Sequence, residues 1–69
     1  MSTFSDRLKE LRSSKKLSQL DLAREIGVSQ QAVSYCELGE DIPTLDVLIK
    51  IADFFDVTLD YLVGRRDKQ

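Results

Sequence analysis

The sequence contains no histidine and no tryptophan, one cysteine (Cys36), one proline (Pro43) and three glycines, Gly27, Gly39 and Gly64. Each scarcity removes a class of function. Without histidine, the commonest metal ligand and the side chain that titrates nearest neutral pH are both missing. One cysteine can form neither an intramolecular disulfide nor a cysteine-rich zinc site. No nucleophile–base pairing, metal cluster or phosphate-binding glycine loop is legible, so the chain is read as not an enzyme, with no catalytic residue, no metal ligand, no cofactor and no small-molecule substrate. No apolar run reaches the roughly twenty residues that span a bilayer. The opening Met1-Ser2-Thr3-Phe4-Ser5-Asp6 lacks the basic and apolar regions of a signal peptide. The expectation is a cytoplasmic protein with no membrane partner.

What is present is a 69-residue chain, 42% hydrophobic and 32% charged. That composition is globular, and the length allows one core. A chain of this size buries only about 60% of the surface its unfolded form exposes, so its stability is modest. The net charge of −2 is low for a nucleic-acid binder, but the charge is polarised. Residues 1–20 are net basic through Arg7, Lys9, Arg12, Lys15 and Lys16. Residues 21–60 are acidic, with Arg24 and Lys50 alone against nine carboxylates, and Arg65, Arg66 and Lys68 make the end basic again.

Sparse punctuation favours helix, and the caps predict five of them. The first begins near Thr3, with Asp6 three residues on as a capping-box acid and Phe4, Leu8 and Leu11 at helical spacing. The second opens at Ser18, with Asp21 in the same relation and Leu17 and Leu22 as a hydrophobic staple. Its inward face is Leu22, Ala23 and Ile26, and it ends at Gly27. The third starts at the cap Ser29, stapled by Val28 and Val33, and closes at Gly39. The fourth follows Pro43-Thr44 and is apolar along Leu45, Leu48, Ile49, Ala52 and Phe55, widened by Val47, Ile51 and Phe54. So broad a stripe predicts a central helix on which the others pack, and its residues read as core rather than a cofactor pocket. The fifth is short, from the cap Thr58 through Leu59 to Val63, with a Val57–Leu62 staple and an end at Gly64. Residues 1–64 make the domain, and residues 65–69 read as a solvated C-terminal tail.

Helices two and three are joined by too short a turn for an antiparallel hairpin. Gly27-Val28-Ser29 forces a steep crossing, the geometry of a helix-turn-helix. The surrounding residues suit it. Ala23 is small where the third helix approaches, Gly27 supplies a positive backbone angle, and Val33 and Cys36 are apolar where the third helix faces the core. Cys36 reads as a small core residue, a redox switch being the sharper alternative.

With those residues in place the chain resembles the Cro/repressor-like (XRE-type) helix-turn-helix regulators of phages and bacteria. The resemblance runs from about Phe4 to Gly64. It is carried by Arg7-Leu8-Lys9-Glu10-Leu11-Arg12, Leu17-Ser18-Gln19, Leu22-Ala23 and Ile26-Gly27-Val28-Ser29-Gln30-Gln31. Later stretches are Glu37-Leu38-Gly39, Pro43-Thr44-Leu45, Leu48-Ile49-Lys50-Ile51-Ala52 and Val57-Thr58-Leu59-Asp60-Tyr61-Leu62. It implies an all-α, compact five-helix, lambda-repressor-like DNA-binding domain acting as a transcriptional repressor. It also implies a homodimer on a pseudo-palindromic double-stranded operator with half-sites about 34 Å apart. The N-terminal end of the third helix then enters the major groove, where each base pair shows its own donor and acceptor pattern. Gln30 and Gln31 in its first turn read bases, since a glutamine amide matches the N6/N7 edge of adenine. Ser34 and Tyr35, one turn further, reach bases, a thymine methyl or backbone. Ser18, Gln19 and Ser29 meet phosphates, because helix starts present free amides and a positive dipole. The bland reading of Ser18 and Gln19 is capping alone, and that of Gln30 and Gln31 an ordinary solvated helix start. Arg12 and Glu37 form a structural ion pair between the first helix and the end of the third, orienting more than stabilising it. Tyr61 and Val63 serve either a dimer contact or core packing.

Two departures stand out. Relatives commonly place Arg or Lys at the position of Tyr35 and basic residues in the following loop. Here that loop is Leu38-Gly39-Glu40-Asp41-Ile42. Either binding leans on dimerisation, on Lys15 and Lys16 and on base contacts, or the domain is a protein-interaction module on the same fold with weak or no DNA binding.

Overall fold

Five hydroxyl caps set the helix boundaries. In a computed structural model that describes Thr3–Asp67, the helices are α1 (Phe4–Ser14), α2 (Gln19–Ile26), α3 (Gln30–Leu38), α4 (Leu45–Phe55) and α5 (Leu59–Leu62), with no strand among the described residues. Each follows a Ser or Thr (Thr3, Ser18, Ser29, Thr44 and Thr58) whose side chain accepts the backbone N–H three residues on. Such a cap stabilises its helix by roughly 0.5–2 kcal/mol. Thr3–Asp6 and Ser18–Asp21 are complete capping boxes, with the acid returning a bond to the backbone of the cap. At the other end, Gly27 caps α2 in the left-handed region at φ 73°. Nothing lies within 4 Å of where a Cβ would stand there, so the backbone angle, not space, calls for glycine.

The core takes Leu8 and Leu11 from α1, Leu22, Ala23 and Ile26 from α2, Val33 and Cys36 from α3, Ile51, Ala52 and Phe55 from α4, and Leu62 from α5. Val28 and Val57, the residues before two caps, pack against it. α3 packs against both α1 and α2, α2 against α4, and α5 against α4 and α1.

The expectation of a central α4 needs correction. Leu45 is 63% exposed and Ile49 40% exposed, and the buried face is Ile51, Ala52 and Phe55. α4 lies at the side of the bundle, where α2 and α5 cover only part of its circumference. Its apolar stripe is wider than one domain can bury.

A second feature escaped the sequence reading. Arg7 is only 4% exposed. Its Nη1 donates to the Tyr61 carbonyl at 3.0 Å and the Arg66 carbonyl at 2.9 Å, and its guanidinium lies 4.0 Å from the Tyr61 ring centroid. Tyr61 therefore packs inward, under a cation, while Val63 remains exposed. Of the stretch read as a solvated tail, Arg65, Arg66 and Asp67 have exposed side chains, and its backbone is tied to α1 through Arg7. Lys68 and Gln69 lie outside the described residues.

Candidate nucleic-acid interface

α3 has two unlike faces. Its back buries Val33, Cys36 and Glu37, whereas Gln30, Gln31 and Tyr35 are exposed and Ser34 is half-buried. The turn into it is short and well bonded, with the N–H groups of both Gly27 and Val28 donating to the Ala23 carbonyl. Ala23, 1% exposed, allows the close crossing. At Ser29 the hydroxyl oxygen accepts from Ala32 N–H at 3.1 Å, leaving the O–H and the first-turn amides directed outward. The polar front of α3 is thus presented by a rigid, packed back.

The start of α2 is held from two sides. Arg12 Nη1 donates to the Leu17 carbonyl at 2.7 Å, fixing the residue before the cap. Arg12 Nε and Nη2 both donate to Glu37, making a bidentate pair between α1 and α3. Its side chains are 18% and 4% exposed respectively. The Glu37 bond raises the Arg12 pKa further, against the lowering effect of burial. Gln19 Nε2 then donates to Glu37 Oε1 at 3.2 Å, so the expected phosphate residue and the expected structural pair form one network. Ser18 Oγ accepts from Asp21 N–H at 3.0 Å, and the Ser18 N–H donates back at 3.1 Å.

On the front of α3, Gln31 Nε2 donates to the Tyr35 hydroxyl at 2.9 Å. Neither meeting was anticipated from the sequence: the i, i+4 spacing of Gln31 and Tyr35 is the signal that could have shown the first, whereas Gln19 and Glu37 lie eighteen residues apart. Beyond α3, Glu40 and Asp41 are exposed, and Asp41 Oδ1 accepts from Ile42 N–H at 2.9 Å. Lys15 turns toward α4, its Nζ 5.4 Å from the Phe54 ring centroid. Burial, and then the charges of Asp41 and Glu37, push the Cys36 thiol up, so it stays protonated at neutral pH. That suits a core residue rather than a reactive one. Among the described residues no group of three or more His, Cys, Asp or Glu side chains is placed to hold a metal, and no helix is long and apolar enough to cross a membrane.

Two short helices crossing over a tight turn, the second packed behind and polar in front, define a helix-turn-helix domain. The sequence model of the helix-turn-helix family matches residues 8–62, and the chain belongs to that family, in its Cro/repressor-like (XRE-type) group. It is 42% identical over 60 residues to an uncharacterized HTH-type transcriptional regulator, YqaE of Bacillus subtilis, covering 87% of this chain and 52% of that protein. It is 38% identical over 60 residues to the cryptic phage CTXphi transcriptional repressor RstR of Vibrio cholerae, covering 87% and 54%. The chain thus spans about half the length of these curated relatives. Among solved structures, the P22 c2 repressor in complex with a synthetic operator superposes with a TM-score of 0.89 at 26% identity, covering 96% of this chain and all of that one.

Proposed function

We propose that this protein is a sequence-specific double-stranded DNA-binding transcriptional regulator, a repressor, that reads the major groove with α3. The observation that carries the reading is the paired arrangement of α3 and α2. Gln30, Gln31 and Tyr35 stand exposed on α3 in front of a buried back, and Gln19 at the capped start of α2 is bonded to Glu37 of that back. In the reading, Gln30 and Gln31 meet adenine edges and Ser34 and Tyr35 line the same groove face. Ser18, Gln19 and Ser29 meet phosphates through hydroxyls, an amide and helix-start N–H groups. Resemblance to a repressor solved on its operator favours this reading over an interaction module. The chain acts in the cytoplasm and catalyses no reaction.

A homodimer on a pseudo-palindrome completes the proposal. Ile42 and Val63, both exposed, line an apolar groove with Phe4 and Leu48, and Leu45 and Ile49 are left uncovered nearby. In this proposal a second copy covers that face, and the two α3 helices reach half-sites one turn of DNA apart, roughly 34 Å.

Selection of binding sites from random DNA tests the whole reading. The expected outcome is a two-fold related sequence. Gln30→Ala and Gln31→Ala each flatten the preference at a base pair, where a good bidentate contact is worth about 1–3 kcal/mol, while Gln19→Ala weakens every site alike. If no sequence outcompetes random DNA at low salt, the reading fails.

A further inference from the structure

The hydrogen bond between Gln31 and Tyr35 has a consequence for readout. A glutamine amide on a free helix face rotates and flips, exchanging its donor and its acceptor. Before meeting a base it has no fixed order of the two. In this structure one Nε2–H of Gln31 is taken by the phenol oxygen of Tyr35, one helical turn away, at 2.9 Å. The phenol accepts here from Nε2 and holds the amide plane beside it, with the Nε2 end toward the Tyr35 hydroxyl. The second Nε2–H and Oε1 remain free, and together they form the donor–acceptor edge that matches N7 and N6 of adenine. The phenol, accepting from the amide, keeps its own O–H. Tyr35 is carried on the same helix as Gln31, whose back is held by buried Val33 and Cys36, so packing sets the backbone that presents both side chains.

We propose that Tyr35 is a positioning residue that determines specificity by orienting the Gln31 amide for one adenine, rather than by touching a base itself. The inference rests on the reading above that Gln31 meets a base. In water an exposed bond of this kind contributes little, because solvent replaces it. In the groove, with water displaced, the same bond is stronger and an unmatched N–H is costly. Its effect therefore falls on base discrimination and not on folding.

Binding-site selection on the full chain, run with Tyr35→Phe, Gln31→Ala and the double variant, tests this. Tyr35→Phe keeps the ring and removes the acceptor. It is expected to reduce preference about three- to tenfold at the base pair that Gln31→Ala flattens, and nowhere else. The double variant is expected to match Gln31→Ala alone. A Tyr35→Phe protein with unchanged preference overturns the proposal, as does one altered at a base pair that Gln31→Ala leaves intact, which is direct reading by Tyr35. If Gln31→Ala flattens no base pair, the underlying reading of Gln31 fails, and the proposal with it. A readout without DNA separates the two failures. The two side-chain amide proton resonances of Gln31 are expected to move in Tyr35→Phe while the melting temperature stays put. Unmoved resonances overturn the orienting bond whatever the DNA result.

Discussion

Gln19 and Arg12 donate to the same atom: Glu37 Oε1 accepts from Gln19 Nε2 at 3.2 Å and from Arg12 Nη2 at 3.0 Å. One buried carboxylate therefore holds the end of α1, the start of α2 and the back of α3 in register. The two members of the ion pair are not equally sheltered, with Arg12 18% and Glu37 4% exposed. Removing Arg12 leaves a buried carboxylate with no countercharge and only the Gln19 amide as donor, whereas removing Glu37 leaves a guanidinium with a path to solvent and a bond to the Leu17 carbonyl. Breaking a buried pair costs about 3–5 kcal/mol. Arg12→Ala is expected at the upper end of that range and Glu37→Ala at the lower. Replacing both, as Arg12→Met with Glu37→Leu, is expected to recover most of the loss, because no unpaired charge remains. Urea unfolding of the four proteins checks the order. Equal losses for the two single variants would show that exposure does not govern the cost.

Arg7 supplies a second test, in which two kinds of contact from one side chain have very different weights. Its bonds to the Tyr61 and Arg66 carbonyls and its stacking on Tyr61 are largely buried, but its bridge to Asp67, 3.5 Å long, ends on a carboxylate that is 88% exposed. Arg7→Ala is expected to cost about 2–4 kcal/mol, from charged hydrogen bonds and the cation–π contact together. Asp67→Ala is expected to cost about 0.5 kcal/mol or less, since exposed ion pairs contribute little. Melting temperatures decide it, and amide exchange at Leu62 to Gly64 should rise in Arg7→Ala alone.

The helices were legible because their ends are written in local chemistry. Ser18 with Asp21 and Ser29 with Val28 and Val33 each specify a start within a few residues, and Gly27 and Gly39 specify stops. The exposed front of α3 was legible for the same reason, since burying Val33 and Cys36 at helical spacing leaves Gln30, Gln31 and Tyr35 in front. What depended on partners distant in sequence was hidden. Arg7 shares a helical face with Leu8 and Leu11, but its acceptors lie 54 and 59 residues away, and nothing near Arg7 announces them. The width of the α4 stripe misled because apolar periodicity reports what can be buried, not what neighbours are available to bury it.

The Ser18–Asp21 capping box makes acid stability a local question. The Ser18 backbone N–H, and then its hydroxyl, hold the Asp21 carboxyl below its usual range in the folded chain. A carboxyl with a lowered folded pKa binds fewer protons when folded than when unfolded. Its contribution is therefore complete above the unfolded value, about 3.9, and is lost as pH falls through the folded one. Asp21→Ala is expected to melt at a lower temperature at pH 7, and the gap to wild type should narrow as the pH falls below the unfolded value and close once it has passed through the folded one. A gap that stays constant with pH would remove the carboxylate from the cap.

Asp56 ends α4 in the left-handed region at φ 56°, where a glycine or asparagine is the usual occupant. It also sets a negative charge at the negative end of the helix dipole. Both features are unfavourable, and no side-chain bond to Asp56 offsets them among the described residues. Asp56→Asn keeps the shape, suits the backbone angle and removes the charge. It is expected to stabilise the protein by about 0.5–1 kcal/mol, read as a higher urea midpoint with an unchanged slope.

Glu40 and Asp41 test where the DNA backbone runs. They are exposed in the loop that follows α3, and on the proposed docking this loop faces a phosphate strand. Two carboxylates there oppose binding, and they offer an acidic surface to a basic protein partner. Exchanging them, as Glu40→Lys with Asp41→Lys, is expected to raise affinity for DNA of any sequence while leaving the selected half-site unchanged, because phosphate contacts carry no base information. Each phosphate newly neutralised steepens the fall of log K with log salt by about 0.9. Titrations across a range of salt concentrations read both effects in one experiment. Affinity and slope identical to wild type would place the loop away from the phosphates, and DNA affinity that drops would require a different docking of α3.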